Sequence, residues 1–319
     1  MKKVISILTC LCLLMTTGCS RQETIRFGVA GVGGMYYPFA NAFTELASKD
    51  ETGINWKVKS TAGSAANLRL LSDNYIELGI AQADLIEDAY YGKGTFHSGK
   101  YRGYKAVASL YPEACQIVVR KDSDITSLDD LEGKNVSVGE EESGTERNAT
   151  QILEMCGLPD NLVNTKNLDY TDAADQLAEK KIDAFFCTAG ICTTVIEELT
   201  KECDIRLLEI PESCRQKLKK AYSFYDDYVI PAGTYFGQTE DIQTISVQSV
   251  LLASSTLSEK TVQKLTASLF KHIKDIQYSI SINLQLTPQE AVKGITIPFH
   301  PGAETYYKLE GVELPEVES

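Results

Sequence analysis

Histidine and positive charge are scarce in this 319-residue chain, and each shortage argues against a class of function. The three histidines, His97, His272 and His300, are not at metal-ligand spacing from one another, which argues against a zinc hydrolase or a histidine-based acid–base enzyme. The chain holds 31 Lys and Arg against 44 Asp and Glu, a formal net charge of −13 at pH 7. Nucleic acids and anionic lipid surfaces both favour a basic partner, so neither is expected as a binding target.

Long apolar runs are also lacking, apart from Val4–Met15, which follows two lysines at the amino terminus. The run is shorter than the roughly 20 residues of a spanning helix, and its basic start is typical of a secretory signal peptide. It ends in Thr-Thr-Gly-Cys at residues 16–19, which resembles a bacterial lipoprotein cleavage box. We therefore expect residues 1–18 to be a signal peptide, Cys19 to be acylated, and residues 19–24 to form a lipidated tether.

A short membrane anchor is the alternative interpretation of the same segment. Loss of the signal peptide would remove two lysines and make the mature chain still more acidic. We expect an extracytoplasmic protein, in a periplasm or on an outer cell surface, whose only contact with the membrane is its lipid anchor.

The mature chain would keep six cysteines, and an even number outside the cytosol permits disulfide bonds. The sequence does not choose among the possible pairings, or between disulfides and free buried thiols. No cysteine has a histidine or a basic cluster near it in sequence, so none is expected to be a catalytic thiol. The six are Cys115, Cys156, Cys187, Cys192, Cys203 and Cys214.

Short β-rich runs alternate with helical windows from Ile25 onward, which predicts βαβ units and a mainly parallel sheet. Strands are predicted over 25–30, 55–60, 76–82, 105–110, 114–120, 135–139, 168–170, 182–186 and 205–210. Helices are predicted over 35–48, 64–72, 145–156, 171–181, 191–199, 258–281 and 288–293. Because open α/β folds bind ligands at the carboxyl edge of the sheet, we expect functional residues in the loops that follow the strands.

Three of these loops place glycine or a small polar residue directly before a helix, at residues 31–38, 61–67 and 142–146. Unpaired N–H groups and the positive end of the helix dipole make each loop a possible anion site. Ordinary helix capping is the alternative, with Ser64 as an N-cap and Ser143 at the start of a capping box. Three such loops in one α/β chain favour a shared cleft.

The first of these loops does not match the nucleotide-binding motifs. Gly31, Gly33 and Gly34 do not form G-x-G-x-x-G, and the Gly-Lys-Ser/Thr of a P-loop is missing. No cofactor is expected.

Several sequence blocks, spread over about residues 25–308, together resemble one family of binding proteins. They are GVGGMYYPFANAF, STAGSAANLRLL with IELGIAQAD, LYPEACQIVVRKDSDITSLDDLEGKNVSVGEEESGTERNATQILEMCGL, KKIDAFFCTAGICTTVIEEL, IPAGTYFGQTEDIQTISVQSVLLAS and PFHPGAETYYK. The chain resembles the TAXI-type substrate-binding proteins, which are extracytoplasmic receptors of tripartite ATP-independent periplasmic (TRAP) transporters.

The resemblance implies an α/β, two-lobe fold of the periplasmic-binding-protein type II kind, with a ligand cleft between the lobes. Lobe 1 is expected at residues 25–112 plus 236–319 and lobe 2 at 113–235, with hinges near 110–116 and 228–237. The resemblance also implies ligand-binding residues at the matching positions Gly33, Gly34, Tyr36, Gly63, Ser64, Asn67, Gln82, Ser143, Gly144, Thr145, Ala189, Gly190 and Tyr235.

Ligands of the TAXI family are typically small acids, so the resemblance implies a glutamate-like amino acid or a dicarboxylate as cargo. Its partner would be an integral membrane TRAP component driven by an ion gradient, usually of sodium. We expect a monomer without enzymatic activity, metal or cofactor. The alternatives are the receptor of an ATP-driven importer, which has the same architecture, and a ligand-binding sensor lipoprotein.

One loop departs from the family, because Glu140, Glu141 and Glu142 stand where small residues, proline or glycine are usual. A solvated acidic loop that points away from the cleft is the favoured interpretation. The alternative is a preference for a ligand with an ammonium group, so that a zwitterion binds better than its keto-acid analogue. Asp84 and Glu113 could also bind an ammonium group, although a surface or capping role is favoured for both. Candidate partners for a ligand carboxylate are Arg69, Arg120 and Arg147.

Overall fold

The computed structural model describes residues 23–50, 53–159, 161–280, 284 and 286–317. The predicted signal peptide and Cys19 lie outside these residues. Within the described residues, ten strands form one mixed sheet. They are β1 (Glu23–Gly28), β2 (Ile54–Lys59), β3 (Leu78–Gln82), β4 (Tyr104–Arg120), β5 (Asn135–Ser137), β6 (Asn164–Lys166), β7 (Ala184–Ala189), β8 (Ile205–Leu207), β9 (Asp226–Ile230) and β10 (Ile242–Ser254).

The sheet consists of two parallel groups of strands joined by two long antiparallel strands. The strand order is β2-β1-β3-β10-β4-β7-β5-β6, with β8 paired to β4 and β9 paired to β10. Strands β1, β2 and β3 are parallel, as are β5, β6 and β7, whereas β10 and β4 run antiparallel to their neighbours. The long strands therefore carry the chain from one half of the molecule to the other.

The helices alternate with the strands, as the sequence pattern predicts. The ten α-helices of the described residues are α1 (Tyr36–Asp50), α2 (Ser64–Ser72), α3 (Ala83–Tyr91), α4 (Gly144–Met155), α5 (Tyr170–Ala178), α6 (Thr194–Glu202), α7 (Glu212–Ala221), α8 (Glu259–Lys271), α9 (Ile273–Ile280) and α10 (Pro301–Leu309). None of the described helices is both long and apolar enough to cross a bilayer.

Strand β4 corrects the sequence-based prediction of two separate strands over 105–110 and 114–120. It continues through Pro112, which faces Gln248 beside a register shift in β10. Proline is tolerated in a strand where the ladder is locally irregular, because its missing N–H then leaves no gap in the hydrogen bonding. Nearly all other residues of β4 are buried, as expected for a strand covered on both faces.

Other boundaries also differ from the predictions. The strand predicted over 168–170 is wrong, because Asp169 accepts a hydrogen bond from Asp172 N and caps α5, while the strand lies earlier as β6. The helix predicted over 288–293 is wrong as well: this segment forms turns, and Ala291 O accepts a hydrogen bond of 2.8 Å from Ser109 N of β4.

The predicted tether overlaps the sheet. Glu23 and Thr24 belong to β1, where they pair in register with Ile54 and Asn55 of β2. Strand β1 thus begins two residues earlier than the predicted lobe boundary.

Two clusters of buried apolar residues hold the sheet and helices together. The larger packs around β1, β3 and the carboxyl half of β10, where Phe27, Phe39 and Phe43 have no exposed surface. The smaller packs α4 and α7 against β4 and β7, and includes Ile245 and Val247 of β10. The amino half of β10 therefore packs with the second half of the molecule, and the proposed division at residue 235 remains a prediction.

One disulfide bond joins two helices of the smaller cluster. Cys156 at the end of α4 is bonded to Cys214 in α7, with their Cα atoms 5.4 Å apart. Four further cysteines of the described residues are free, of which Cys115 and Cys187 are buried. Burial raises the pKa of the Cys115 thiol to about 12, so it is not a reactive thiolate at neutral pH.

Candidate functional site

The amino ends of three helices meet at one cavity between the two halves of the molecule. Helices α1, α2 and α4 begin at Tyr36, Ser64 and Gly144, and all three residues line this cavity of about 50 Å³. The first N–H groups of an α-helix have no partner inside the helix, and the dipole there is positive. Nine of the thirteen residues predicted to bind ligand line the cavity: Gly34, Tyr36, Gly63, Ser64, Gln82, Ser143, Gly144, Thr145 and Ala189.

The loop before α2 is shaped by glycine and not by side-chain capping. Gly63 has φ of +119°, a conformation that L-residues rarely adopt, and it is the N-cap of α2 without a side-chain cap bond. The prediction that Ser64 is an N-cap is wrong, because Ser64 is the first helical residue. Its Oγ instead accepts a hydrogen bond of 3.1 Å from Gln82 N, which ties this loop to the end of β3.

The loop before α4 contains the predicted cap. Ser143 Oγ accepts a hydrogen bond of 3.0 Å from Glu146 N. The return bond differs from a standard capping box, since Glu146 Oε2 accepts from Glu142 N at 2.8 Å. Capping and an anion site are compatible here, because the cap bonds the third N–H of the helix. Among the described residues, no side chain accepts from the N–H groups of Gly144 and Thr145.

Gly144 packs against the opposite wall of the cavity. A Cβ atom built on Gly144 would lie 2.0 Å from Gln82 Oε1, so only glycine fits while Gln82 keeps its position. Thr145 is fixed by Tyr170, because their hydroxyl oxygens are 2.5 Å apart and Tyr170 donates to Thr188 O. The rigid Tyr170 ring also lines the cavity.

Glu113 of β4 forms part of the cavity wall and is only 2% exposed. Its Oε2 accepts hydrogen bonds of 3.0 Å from Tyr36 Oη and from Gln82 Nε2. Burial raises the pKa of Glu113 to about 8, although the bonds from Gln82 and Tyr36 oppose that shift. The favoured prediction of a surface or capping role for Glu113 is wrong, because β4 passes between the halves at this point.

Asp84 is also buried, at 1% exposure, but it lies outside the cavity lining. Its Oδ2 is 3.4 Å from Asn148 Nδ2 of α4, and burial raises its pKa to about 6. A surface position is therefore wrong for Asp84, whereas backbone hydrogen bonds in the first turn of α3, which oppose the rise of its pKa, agree with a capping role.

The four remaining predicted residues do not line the cavity. Asn67 is buried and donates to Val29 O and Ile80 O, so it holds the start of α2 to the ends of β1 and β3. The Oη of Tyr235 donates to Gln116 Oε1 at 2.6 Å and accepts from Thr193 N. Gly190 O accepts from Thr193 Oγ1, and Gly33 O accepts from Val195 N. A ligand-binding role for Gly33, Asn67, Gly190 and Tyr235 stays a prediction.

Sequence reasoning did not select Asp169, Tyr170 and Thr188, which also line the cavity. Because residues 168–170 were predicted to form a strand, Asp169 and Tyr170 were not identified as the start of a helix. Asp169 followed by Asp172 is nevertheless a recognisable helix start. Glu113 was considered as a partner for an ammonium group, but nothing in the local sequence indicates that it is buried.

The three candidate arginines all pair with carboxylates elsewhere. Arg147 Nη2 lies 2.6 Å from Asp88 Oδ2, and Arg69 forms an ion pair with Glu142. Arg120 pairs with Asp122 at 2.9 Å. No lysine or arginine among the described residues lines the cavity, whose acidic groups are Glu113, Glu140 and Asp169.

The acidic loop over 140–142 is divided between two surfaces. Glu140 lines the cavity, and burial raises its pKa above the ordinary value. Glu141 and Glu142 line a neighbouring groove with Arg69 and Arg147. The favoured prediction of a loop pointing away is therefore wrong for Glu140.

Several contacts join the two halves beside the cavity. Ala65 N of α2 donates to Glu142 O at 3.1 Å, and the Arg147–Asp88 pair joins α4 to α3. Burial raises the pKa of Asp88 even though Arg147 opposes the shift. These contacts hold the halves together over the cavity, as in a closed binding site.

The described residues contain no group of three or more His, Cys, Asp or Glu side chains placed to hold a metal ion. His300, which is buried, instead caps α10: its Nδ1 accepts a hydrogen bond of 3.2 Å from Gly302 N.

The comparison with protein families decides the identity of the chain. The sequence profile of the NMT1-like family matches residues 27–311. The chain belongs to the NMT1-like family. The match includes all three loops of the cavity and both long strands, so the site of this NMT1-like protein lies inside the family region.

Solved structures show the fold of the NMT1-like protein. The alkanesulfonate-binding protein SsuA from Xanthomonas axonopodis pv. citri, bound to MOPS, is 15% identical and aligns over 90% of this chain and 83% of its own, with a TM-score of 0.51. A putative L-cystine ABC transporter protein from Listeria monocytogenes is 15% identical over 81% of this chain and 94% of its own, with a TM-score of 0.51. A binding protein component of an ABC phosphonate transporter from Pseudomonas aeruginosa is 13% identical and aligns over 82% of this chain and 80% of its own, with a TM-score of 0.52.

At these identities the likeness shows the fold alone. It confirms the predicted class, a mixed α/β, two-lobe fold of periplasmic solute-binding proteins, with the cavity of the NMT1-like protein between the lobes. The names of these three proteins describe binding or transport.

Proposed function

We propose that the protein is an extracytoplasmic solute receptor that captures a small carboxylate-bearing ligand by lobe closure. The observation that carries the proposal is the convergence of three helix amino ends, from both halves of the molecule, on one cavity. Membership of the NMT1-like family and the fold of periplasmic solute-binding proteins support a role in solute capture.

A carboxylate is the ligand group that these helix ends suit best. Backbone N–H groups at a helix start bind carboxylates through hydrogen bonds and the helix dipole, without a basic side chain. The absence of lysine and arginine from the described cavity lining is consistent with this mode, because the three candidate arginines are paired elsewhere. Glycine at positions 63 and 144 lets a ligand approach the backbone closely.

The receptor would deliver its cargo to an integral membrane transporter. The resemblance to the TAXI family supports a TRAP-type component driven by an ion gradient. An ATP-driven importer is the second candidate, since two proteins of the same fold carry ABC transporters in their names. Uptake into membrane vesicles that contain each candidate membrane component would separate them: TRAP delivery requires an ion gradient, whereas ABC delivery requires ATP.

The protein would be held at the membrane by a lipid on Cys19. Replacement Cys19→Ser should prevent acylation and release the protein from the membrane fraction. Labelling of cells with a radioactive fatty acid, followed by fractionation, tests this directly. Equal labelling of the parent and the variant would contradict the anchor.

Ligand capture is tested first by thermal unfolding of protein that starts at Ser20 and has been unfolded and refolded to remove bound cargo. The panel holds L-amino acids, dicarboxylates and keto acids. A ligand present at a hundred times its dissociation constant adds about 2.7 kcal/mol, which is ~5–11 °C at ~2–4 °C per kcal/mol. The test variant is Gly144→Ala, whose added methyl group meets Gln82 and should lower the shift, with Gly99→Ala as its matched control. If no compound raises the unfolding temperature, the proposed receptor function for these ligand classes is wrong.

A further inference from the structure

Two acceptor oxygens without hydrogen-bond donors lie at the same wall of the cavity. Glu113 uses Oε2 to accept from Tyr36 and Gln82, and its Oε1 has no hydrogen-bond partner in the described part of the chain. Gln82 donates through Nε2 to Glu113, and its buried Oε1 is likewise without a partner. Buried polar atoms are normally satisfied, so the buried Gln82 Oε1 points to a missing donor, while Glu113 Oε1 is left available for a ligand.

The ionisable groups around this wall are all acidic. The acidic side chains that line the cavity are Glu113, Glu140 and Asp169, and no lysine or arginine accompanies them among the described lining residues. A ligand with only carboxylates would be repelled by this set, whereas an ammonium group carries a positive charge and three N–H donors.

We propose that Glu113 pairs with an ammonium group of the ligand and thereby selects an amino acid over the acid that lacks the amine. The inference rests on the proposed receptor function and names the substrate class of the same cavity. The carboxylate of the amino acid lies at the helix amino ends, and its ammonium group donates to Glu113 Oε1.

Binding of the ammonium group releases a proton from Glu113. The groups that act on Glu113 from the surrounding elements are neutral or acidic: Tyr36, Asp84, Tyr111, Cys115, Tyr170 and Cys187. In the empty cavity burial raises the pKa of Glu113 to about 8, so its carboxyl is mainly protonated at pH 7. The ammonium ligand binds the carboxylate form, and the displaced proton goes to the buffer.

Calorimetric titration of refolded, ligand-free protein tests the inference with matched pairs of probes. The pairs are L-glutamate with glutarate, L-aspartate with succinate, and other L-amino acids with their deaminated acids. Titrations at pH 7 in two buffers of different ionisation enthalpy count the protons released. We expect the amino acid of the binding pair to bind at least about tenfold more tightly, with nearly one proton released. Its affinity should rise by up to about tenfold per pH unit between pH 6.5 and 8, above the pKa of Asp84.

Variants separate the role of Glu113 from that of the acidic loop. Glu113→Gln should weaken the amino acid by about 10- to 100-fold, the usual worth of a hydrogen bond to a charged group, and should abolish the proton release. Glu141→Gln is the matched control, because Glu141 does not line the cavity. If Glu113→Gln does not fold, the affinities of the amino acid and its deaminated acid for the parent protein still test the role of Glu113.

The outcomes distinguish a failure of the proposed role of Glu113 from a failure of the proposed receptor function. If the deaminated acid binds as tightly as the amino acid, or if binding takes up protons, the role of Glu113 is wrong and the receptor function stands. If Glu113→Gln binds the amino acid as tightly as the parent does, the role of Glu113 is likewise wrong and the receptor function stands. If neither member of any pair binds, the proposed function fails and the inference with it.

Discussion

The disulfide between Cys156 and Cys214 supports the helix that carries the third loop of the cavity. It joins the end of α4 to α7 and closes a loop with a sequence separation of 58 residues. Constraining the unfolded chain by a loop of this length stabilises the folded protein by about 4 kcal/mol in the chain-entropy treatment. We therefore predict that Cys156→Ala with Cys214→Ala lowers the free energy of unfolding by about 4 kcal/mol.

Urea unfolding followed by circular dichroism measures this loss, and thermal unfolding should show a fall of ~8–16 °C. Cys192→Ser and Cys203→Ser are the matched controls, because both thiols are free and partly exposed. Ligand affinity of the double alanine variant should stay within about threefold of the parent, since neither cysteine lines the cavity. A loss below about 1 kcal/mol, or an equal loss in the controls, would refute the reasoning.

Three further predictions concern the cavity and its closure. Gly144→Ala should weaken ligand binding by about tenfold or more in calorimetry, because its Cβ would lie 2.0 Å from Gln82 Oε1. Glu113 has a raised folded-state pKa, so its protonated form contributes stability below pH 4.5 that is lost as the pH rises through about 8. Glu113→Gln should therefore raise the unfolding free energy of the empty protein at pH 8 by a few kcal/mol. Asp88→Asn removes the partner of Arg147 and should favour the open form by about 10- to 100-fold, seen as a larger radius in small-angle X-ray scattering.

Matched controls keep these predictions specific. Gly99→Ala adds a methyl group with no atom within 4 Å and should leave binding unchanged. Glu141→Gln should leave the pH dependence of stability as in the parent. Glu87→Gln removes the exposed ion pair to Lys93, 3.0 Å long, and should not change the scattering radius. A change in any control as large as in its partner would contradict the assigned cause.

Local periodicity was sufficient for most of the first half of the chain. The strand predicted over 55–60 and the helix over 64–72 match β2 and α2 within one residue, because alternation and a glycine turn are encoded by neighbouring residues. The same reasoning missed β9 and β10, whose partners lie far away in sequence. Strand pairing of that kind stabilises a segment that local preference leaves ambiguous.

The sequence alone determined the class of the molecule: an acidic α/β chain with three glycine-containing loops before helices, which places a shared site at their amino ends. Only the tertiary structure decided which charges reach that site. Glu113 is buried because β4 crosses between the halves there, and Arg69 and Arg147 form ion pairs with carboxylates of distant segments. The pairing of Cys156 with Cys214 was decided in the same way. Burial and ion pairing depend on which distant segments meet, and that information is absent from any local window of residues.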